Sequence, residues 1–189
     1  MIGPQPVVID ASVALSIVRN EPSAPGISRA LDDWSALGRQ LLVPSHFWLE
    51  IVNPLARRHH WDGLEMLQAL RELDELDLTT VESDRTQVLL TMDLVERFRL
   101  TSFDAAYLAL AQIYAADLAT LDVELARAAG VRAIPLDARR RLSESPAPYE
   151  HDVTWPSYKH ASAYLARLRA EALTARSGTG VSGPLGGPQ

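Results

Sequence analysis

Cysteine is absent from the 189-residue chain, which excludes disulfides, zinc–thiolate centres and thiol nucleophiles. There is no apolar run long enough to span a bilayer either. The longest, AAYLALAQIYAA, is interrupted by Gln112 and falls short of the roughly 20 residues that a spanning helix needs, so no membrane contact is expected. The opening MIGPQP has no basic stretch followed by an apolar one; no secretion signal is visible, and a cytoplasmic location is expected. Positive charge is also in deficit: 18 Lys and Arg face 24 Asp and Glu, for a net charge of −6 and a pI near 5.3. Binding through bulk positive charge is thereby excluded, and nucleic-acid affinity would need local basic patches or a bound cation. P-loops and Gly-x-Ser-x-Gly nucleophile turns are missing as well. Residues 178–183, GTGVSG, match a dinucleotide-binding pattern in letters only, because no strand precedes them and no helix follows.

What is present is apolar material, 47% of the chain, enough for a sizeable core in one domain plus an extension. Short β-branched or apolar runs read as strands at residues 7–9 (VVI), 41–43 (LLV), 76–81 (LDLTTV), 118–120 (LAT) and 131–136 (VRAIPL). Between them, apolar residues recur every three or four positions in SVALSIVR, ISRALDDWSAL, HFWLEIVNPLARR, LEMLQALREL, DRTQVLLTMDLVERF, TSFDAAYLALAQIY and VELARAAG, which marks helices. Ser45 and Ser83 are the expected N-caps of the third and fifth, and Pro54 should kink the third or end it early. Since helices separate every pair of strands, the fold class is α/β, a mostly parallel sheet with helices on both faces. Such sheets bind ligands beyond the carboxyl ends of their strands, in the crevice where strand order reverses.

From residue 138 the pattern changes. Residues 138–156 are rich in charge, Ser and Pro; residues 155–176 regain helical periodicity, with Trp155, Tyr158, Ala161, Leu165, Leu168 and Ala172 forming an apolar stripe. The chain closes on SGTGVSGPLGGPQ, a flexible tail by composition. The expected division is one α/β domain at 1–137 and, at 138–189, a linker, an amphipathic helix and a tail.

Four acids stand out. Asp10 follows the first strand and Asp122 the fourth, while Glu50 in FWLEIVN and Asp104 in SFDAAY lie on helices in apolar company. Singly, each has an ordinary explanation: Asp10 or Ser12 as a helix cap, and Asp104 as a first-turn acid favoured by the helix dipole. Together, two strand-end aspartates and two helix acids form an oxygen-ligand set suited to Mg²⁺ or Mn²⁺. Clustered carboxylates repel one another unless a cation compensates them, and such sites support in-line displacement at phosphorus.

In order and local setting these segments resemble the PIN-domain nucleases, and among them the VapC-like toxins of toxin–antitoxin pairs. VVIDASVAL is similar to the family's first strand, with Asp10 and the hydroxyl of Ser12; FWLEIVNPL to its Glu helix, with Glu50 and Asn53; TSFDAAYLALA to its third-acid segment at Asp104; and LATLDVELARAAG to its Thr-x-Asp segment at Thr120 and Asp122. The resemblance covers about residues 6–137. It implies a three-layer α/β/α domain and a metal-dependent endoribonuclease in which Asp10, Glu50, Asp104 and Asp122 hold Mg²⁺ or Mn²⁺. Ser12, Asn53 and Thr120 would orient carboxylates and substrate, and a metal-activated water would attack the RNA phosphodiester. It further implies 5′-phosphate and 3′-hydroxyl products, a small cognate antitoxin and a homodimer. Two departures are Pro54, directly after Asn53, and the extension beyond residue 138.

Other readings compete. His46 and Glu50, four apart, could share a helix face as ligands, although a His near a helix start is commonly a partly exposed capping residue. Arg57, Arg58, His59 and His60 could touch phosphates or simply complement a helix C-terminus. A dehalogenase-type phosphatase needs a second Asp where Ser12 stands. From a different class, a catalytically silent PIN-like module would use the same fold to hold RNA or a protein.

Overall fold

The computed structural model describes residues 3–136; the expected helical extension at 138–189 lies outside them. Five strands form one sheet: β1 (Val7–Ile9), β2 (Leu41–Pro44), β3 (Leu78–Val81), β4 (Asp117–Thr120) and β5 (Ala133–Pro135). Seven helices connect them: α1 (Ala11–Val18), α2 (Ala24–Ala36), α3 (Phe47–Arg57), α4 (Gly63–Asp74), α5 (Arg85–Phe98), α6 (Ser102–Ile113) and α7 (Val123–Ala129). Strand order is β3-β2-β1-β4-β5 and every pairing is parallel. The alternation of short apolar runs with helical stripes predicts this arrangement, because neighbouring parallel strands need crossovers.

Right-handed crossovers fix the layers. The chain steps from β1 through β2 to the β3 edge, which sets α1 to α4 on one face, and then reverses across the sheet to β4 and β5, which sets α5 to α7 on the other. The reversal point therefore falls between β1 and β4. Val7, Val8 and Ile9 are essentially inaccessible to solvent, as strands covered on both faces must be. α6 is buried from Ala105 to Ala111 and packs against β1, β2 and β4. Its run of Ala is what lets a helix lie so close to the strands. Among the described residues no helix is long and apolar enough to cross a membrane.

Several local details differ from expectation. Asp84, not Ser83, caps α5, accepting from the Gln87 N–H at 2.8 Å. Ser45 caps nothing: its N–H donates to the Val81 carbonyl at 3.1 Å, which extends the β2–β3 ladder and postpones the helix to Phe47. α2 starts before the expected ISRALDDWSAL, with Pro25 in its first turn, where the missing N–H costs nothing. α3 runs through Pro54 to Arg57. Phe47, Ile51 and Leu55, one turn apart, are fully buried, and three such burials at about 1.5–3 kcal/mol each outweigh a proline penalty of about 3 kcal/mol.

Candidate active site

Beyond the carboxyl ends of β1 and β4, the four acids stand at the N-terminal ends of four helices. Asp10 occupies the N-cap position of α1 with extended backbone (φ −79°, ψ 150°), but its side chain caps nothing. Instead its Oδ2 accepts from the Thr120 hydroxyl at 2.6 Å and from the Ser12 hydroxyl at 2.5 Å. Each hydroxyl accepts in turn from the turn that follows β4: Thr120 from the Asp122 N–H at 2.9 Å, Ser12 from the Leu121 N–H at 3.0 Å. Two backbone amides thus polarise two hydroxyls, which hold one oxygen of Asp10. The other, Oδ1, accepts no hydrogen bond from the described residues.

Asp10 is only 5% exposed. Burial pushes its pKa above the ordinary carboxylate value; the two hydroxyl hydrogen bonds pull it down, and the charges of Asp104 and Asp122 push it up again. Glu50 is shifted upward as well, first by burial and then by Asp10 and Asp104, against the opposing hydrogen bond from Tyr107. These mutual influences show that the fold brings the four acids into one electrostatic neighbourhood. Among the described residues, no Lys or Arg forms an ion pair with any of them. Partial positive charge from four helix N-termini is the compensation the fold itself supplies, roughly 0.3–1 kcal/mol per acid.

Two of the acids also serve their own helices. Asp122 is the N-cap of α7, its Oδ1 accepting from the Leu125 N–H at 2.7 Å. Asp104 sits in the first turn of α6, its N–H donating to Thr101 Oγ1 at 3.1 Å and its Oδ2 accepting from the same hydroxyl at 2.6 Å. Asn53 is exposed on α3 and has no side-chain hydrogen bond to the described residues.

Tyr107 gains a place that sequence reading did not give it, and His46 stands beside Glu50 as their spacing of four allows. Tyr107, three residues after Asp104 on the buried α6, donates its hydroxyl to Glu50 Oε2 at 2.6 Å; burial and the neighbouring acids hold that phenol well above its normal pKa. A tyrosine inside an Ala/Leu helix was the available signal, since a buried phenol needs an acceptor. His46 lies 3.6 Å from Glu50 Oε2, too far for a hydrogen bond, and its Nε2 is buried with no partner among the described residues. Burial lowers its pKa, with contact at the Phe103 backbone and the charge of Asp104 opposing. Its ring packs edge-on against Tyr107 at 5.1 Å and tilted against Phe103 at 5.3 Å. Residues 57–60 stand at and beyond the far end of α3, about 10 Å along the helix from Glu50 at 1.5 Å per residue.

The donor chemistry suits a hard divalent cation: carboxylate oxygens, one of them on the buried Asp10 and accepting no hydrogen bond, with no Lys or Arg paired to the acids among the described residues. As they stand, however, no three His, Cys, Asp or Glu side chains among the described residues are close enough together to chelate one ion. Binding would draw side chains inward.

An α/β sheet with acids gathered at its strand-order reversal defines a class of carboxylate-site domains, and the family profile described as the PIN domain matches residues 7–131. The chain belongs to the PIN-domain family. A comparison with curated proteins returned no match. Among solved structures, the fold is similar to a toxin–antitoxin complex from Klebsiella pneumoniae, at 18% identity, with 69% of this chain and 98% of that one covered and a TM-score of 0.53. It is likewise similar to Mycobacterium tuberculosis VapC20, described as a toxin that cleaves the sarcin–ricin loop, at 14% identity, 68% and 99% coverage and a TM-score of 0.55. A third is VapBC2 from Rickettsia felis bound to a fragment of its promoter DNA, at 13% identity, 68% and 95% coverage and a TM-score of 0.51. At these identities the likeness is one of fold.

Proposed function

We propose that this protein is a divalent-cation-dependent endoribonuclease, the toxin of a type II toxin–antitoxin pair, with Asp10, Glu50, Asp104 and Asp122 as its catalytic carboxylates. The observation that carries this reading is the buried Asp10, gripped through Oδ2 by Ser12 and Thr120 and raised in pKa by burial, with Asp104 and Asp122 near enough to add to the shift, and with no basic side chain paired to it among the described residues. A fold does not keep a buried, unpaired carboxylate beside other acids for stability, because burying an uncompensated charge is costly. The toxins and toxin–antitoxin complexes among its structural neighbours support the same reading.

Bound Mg²⁺ or Mn²⁺ would supply the positive charge that neutralises the carboxylates and polarises a phosphodiester and its attacking water. The chain's own groups do the rest. Ser12 and Thr120 fix the rotamer of Asp10 by occupying Oδ2, leaving Oδ1 for the ligand. Tyr107 does the same for Glu50 from the opposite layer. Asp104 and Asp122 are each tied to their own helix start, through the Thr101 hydroxyl and the Leu125 N–H. Asn53, on the same helix as Glu50, would meet substrate. A small antitoxin that covers this end of the sheet would silence it.

The test is cleavage of single-stranded RNA by the purified full-length chain with Mn²⁺ and with chelator. Cation-dependent cleavage leaving 5′-phosphate and 3′-hydroxyl ends is expected, since a water nucleophile does not use the substrate's 2′-hydroxyl. Products ending in 2′,3′-cyclic phosphate would refute the mechanism. RNA binding without cleavage, and melting unaffected by Mn²⁺, would favour a silent binding module; the open spacing of the carboxylates is the observation on that side.

A further inference from the structure

Phe103 is the second residue of α6 and the immediate neighbour of Asp104 in the chain. Its side chain is not buried with the rest of that helix: it is 54% exposed. Single exposed apolar residues are ordinary on protein surfaces, but this one is held in place from behind. The His46 ring lies 5.3 Å from it, tilted by 43°. His46 in turn meets Tyr107 edge-on at 5.1 Å, and the Tyr107 hydroxyl holds Glu50 at 2.6 Å. One continuous line of rings therefore runs from the carboxylates to an aromatic surface open to solvent. Thr101 and Ser102, before it in the chain, are exposed and polar, so within the first turn of α6 this ring is the apolar feature offered to solvent.

We infer that Phe103 stacks an unpaired nucleobase of the RNA substrate and so positions the adjoining phosphate over the carboxylates. The inference rests on the ribonuclease reading above. Charge is the reason such a platform is needed: at a net charge of −6, the protein lacks the phosphate attraction that provides most non-specific RNA affinity. Stacking provides affinity without charge. It is also tolerant of base identity, because every base has a π face, and it is the common way proteins seize single-stranded loops and bulges. The Phe103 ring lies 5.3 Å from the His46 ring, whose Nε2 is 3.6 Å from Glu50 Oε2, so a base held there belongs to a nucleotide at the reacting site.

The experiment uses the full-length chain and a set of single-stranded RNA oligomers carrying 2-aminopurine at successive positions. Binding is measured in Ca²⁺ and cleavage in Mn²⁺, for wild type, Phe103→Trp, Phe103→Leu and Phe103→Ala. Wild type and Phe103→Trp should quench the fluorophore at one position next to the cleaved bond. Phe103→Leu and Phe103→Ala should lose that quenching and bind about 5- to 100-fold more weakly, the range of one base–aromatic stack, while keeping the wild-type melting shift with Mn²⁺. If Phe103→Leu binds and quenches like wild type, or if Phe103→Ala is unaffected while the wild type cleaves, stacking is refuted, and the exposed ring is left to a protein partner. Absence of both binding and cleavage in the wild type would instead overturn the ribonuclease reading, and this inference with it.

Discussion

Replacing Asp10 by Asn should stabilise the cation-free protein, contrary to the usual outcome for a buried, hydrogen-bonded residue. The substitution keeps the shape and keeps an oxygen for the Ser12 and Thr120 hydroxyls, but removes the charge. Burial is the largest cause of the raised Asp10 pKa, and the charges of Asp104 and Asp122 add to it; an uncompensated buried ion costs several kcal/mol, on the order of 5, and that is the energy to recover. Against this, two hydrogen bonds fall from charged to neutral strength, a loss of about 1 kcal/mol each, and the dipole of α1 loses its anion, up to about 1 kcal/mol. The net gain is about 2 kcal/mol, or about 4–8 °C in Tm for a chain of this size. The gain depends on pH with a definite sign. Because the folded state holds the Asp10 proton above the ordinary value of 3.8, it binds more protons than the unfolded state in between, and wild-type stability falls as pH rises from about 4 through the raised folded value. Asn abolishes that slope, so the two proteins should melt alike near pH 4 and diverge toward neutrality. Thermal melts in chelator from pH 4 to 8 measure this, and a parallel series in Mn²⁺ should raise the wild type only. A Tm for Asp10→Asn at or below wild type at pH 7 in chelator would show that the carboxylate is compensated within the fold, and the case for a missing cation would collapse.

Two further substitutions separate the site from the scaffold. Tyr107→Phe removes the 2.6 Å hydrogen bond to Glu50; thermal melts should show a loss of about 1–3 kcal/mol, and cleavage assays a fall of about 10- to 100-fold, as when a group orienting a ligand is lost. At the amino ends of the strands, Arg39 joins Asp117 at 2.5 Å and the Gln5 carbonyl at 2.7 Å. Arg39→Ala should cost about 1–3 kcal/mol while leaving the cleavage rate at permissive temperature as in wild type; a fall in rate without loss of fold would mean the two ends of the sheet are coupled.

Much of this was legible in the sequence because it depends on short-range pattern. The runs at residues 7–9 and 41–43 can only be buried strands, and the helices between them force parallel pairing. That rule alone places Asp10 and Asp122 at strand ends, and adjacency of β1 and β4 then brings Thr120 onto Asp10. Harder to see were contacts that depend on how layers meet. Glu50 and Tyr107 lie 57 residues apart on helices from opposite faces, and no local rule joins them. Caps were misplaced where two competent residues adjoin: Ser83 and Asp84 can both cap, and the backbone that presents Asp84 to the Gln87 N–H decides. Pro54 does not end α3, because propensity weighs only the helix, whereas the buried Phe47, Ile51 and Leu55 face weighs the core. Asn53, implied by the family resemblance, shares the helix with Glu50, and its side chain makes no hydrogen bond to the described residues.

The central place of β1 has a consequence for when this protein becomes what it is. β1 is the first strand made, yet its neighbour β4 begins at Asp117, and the hydroxyl that grips Asp10 arrives 110 residues after it. While a ribosome is still making the intervening chain, one edge of β1 has no partner and Asp10 has no Thr120. The last acid, Asp122, follows two residues later. A half-made copy therefore holds no assembled constellation of carboxylates, and on the reading proposed above it would have no activity until the central pair of strands has closed.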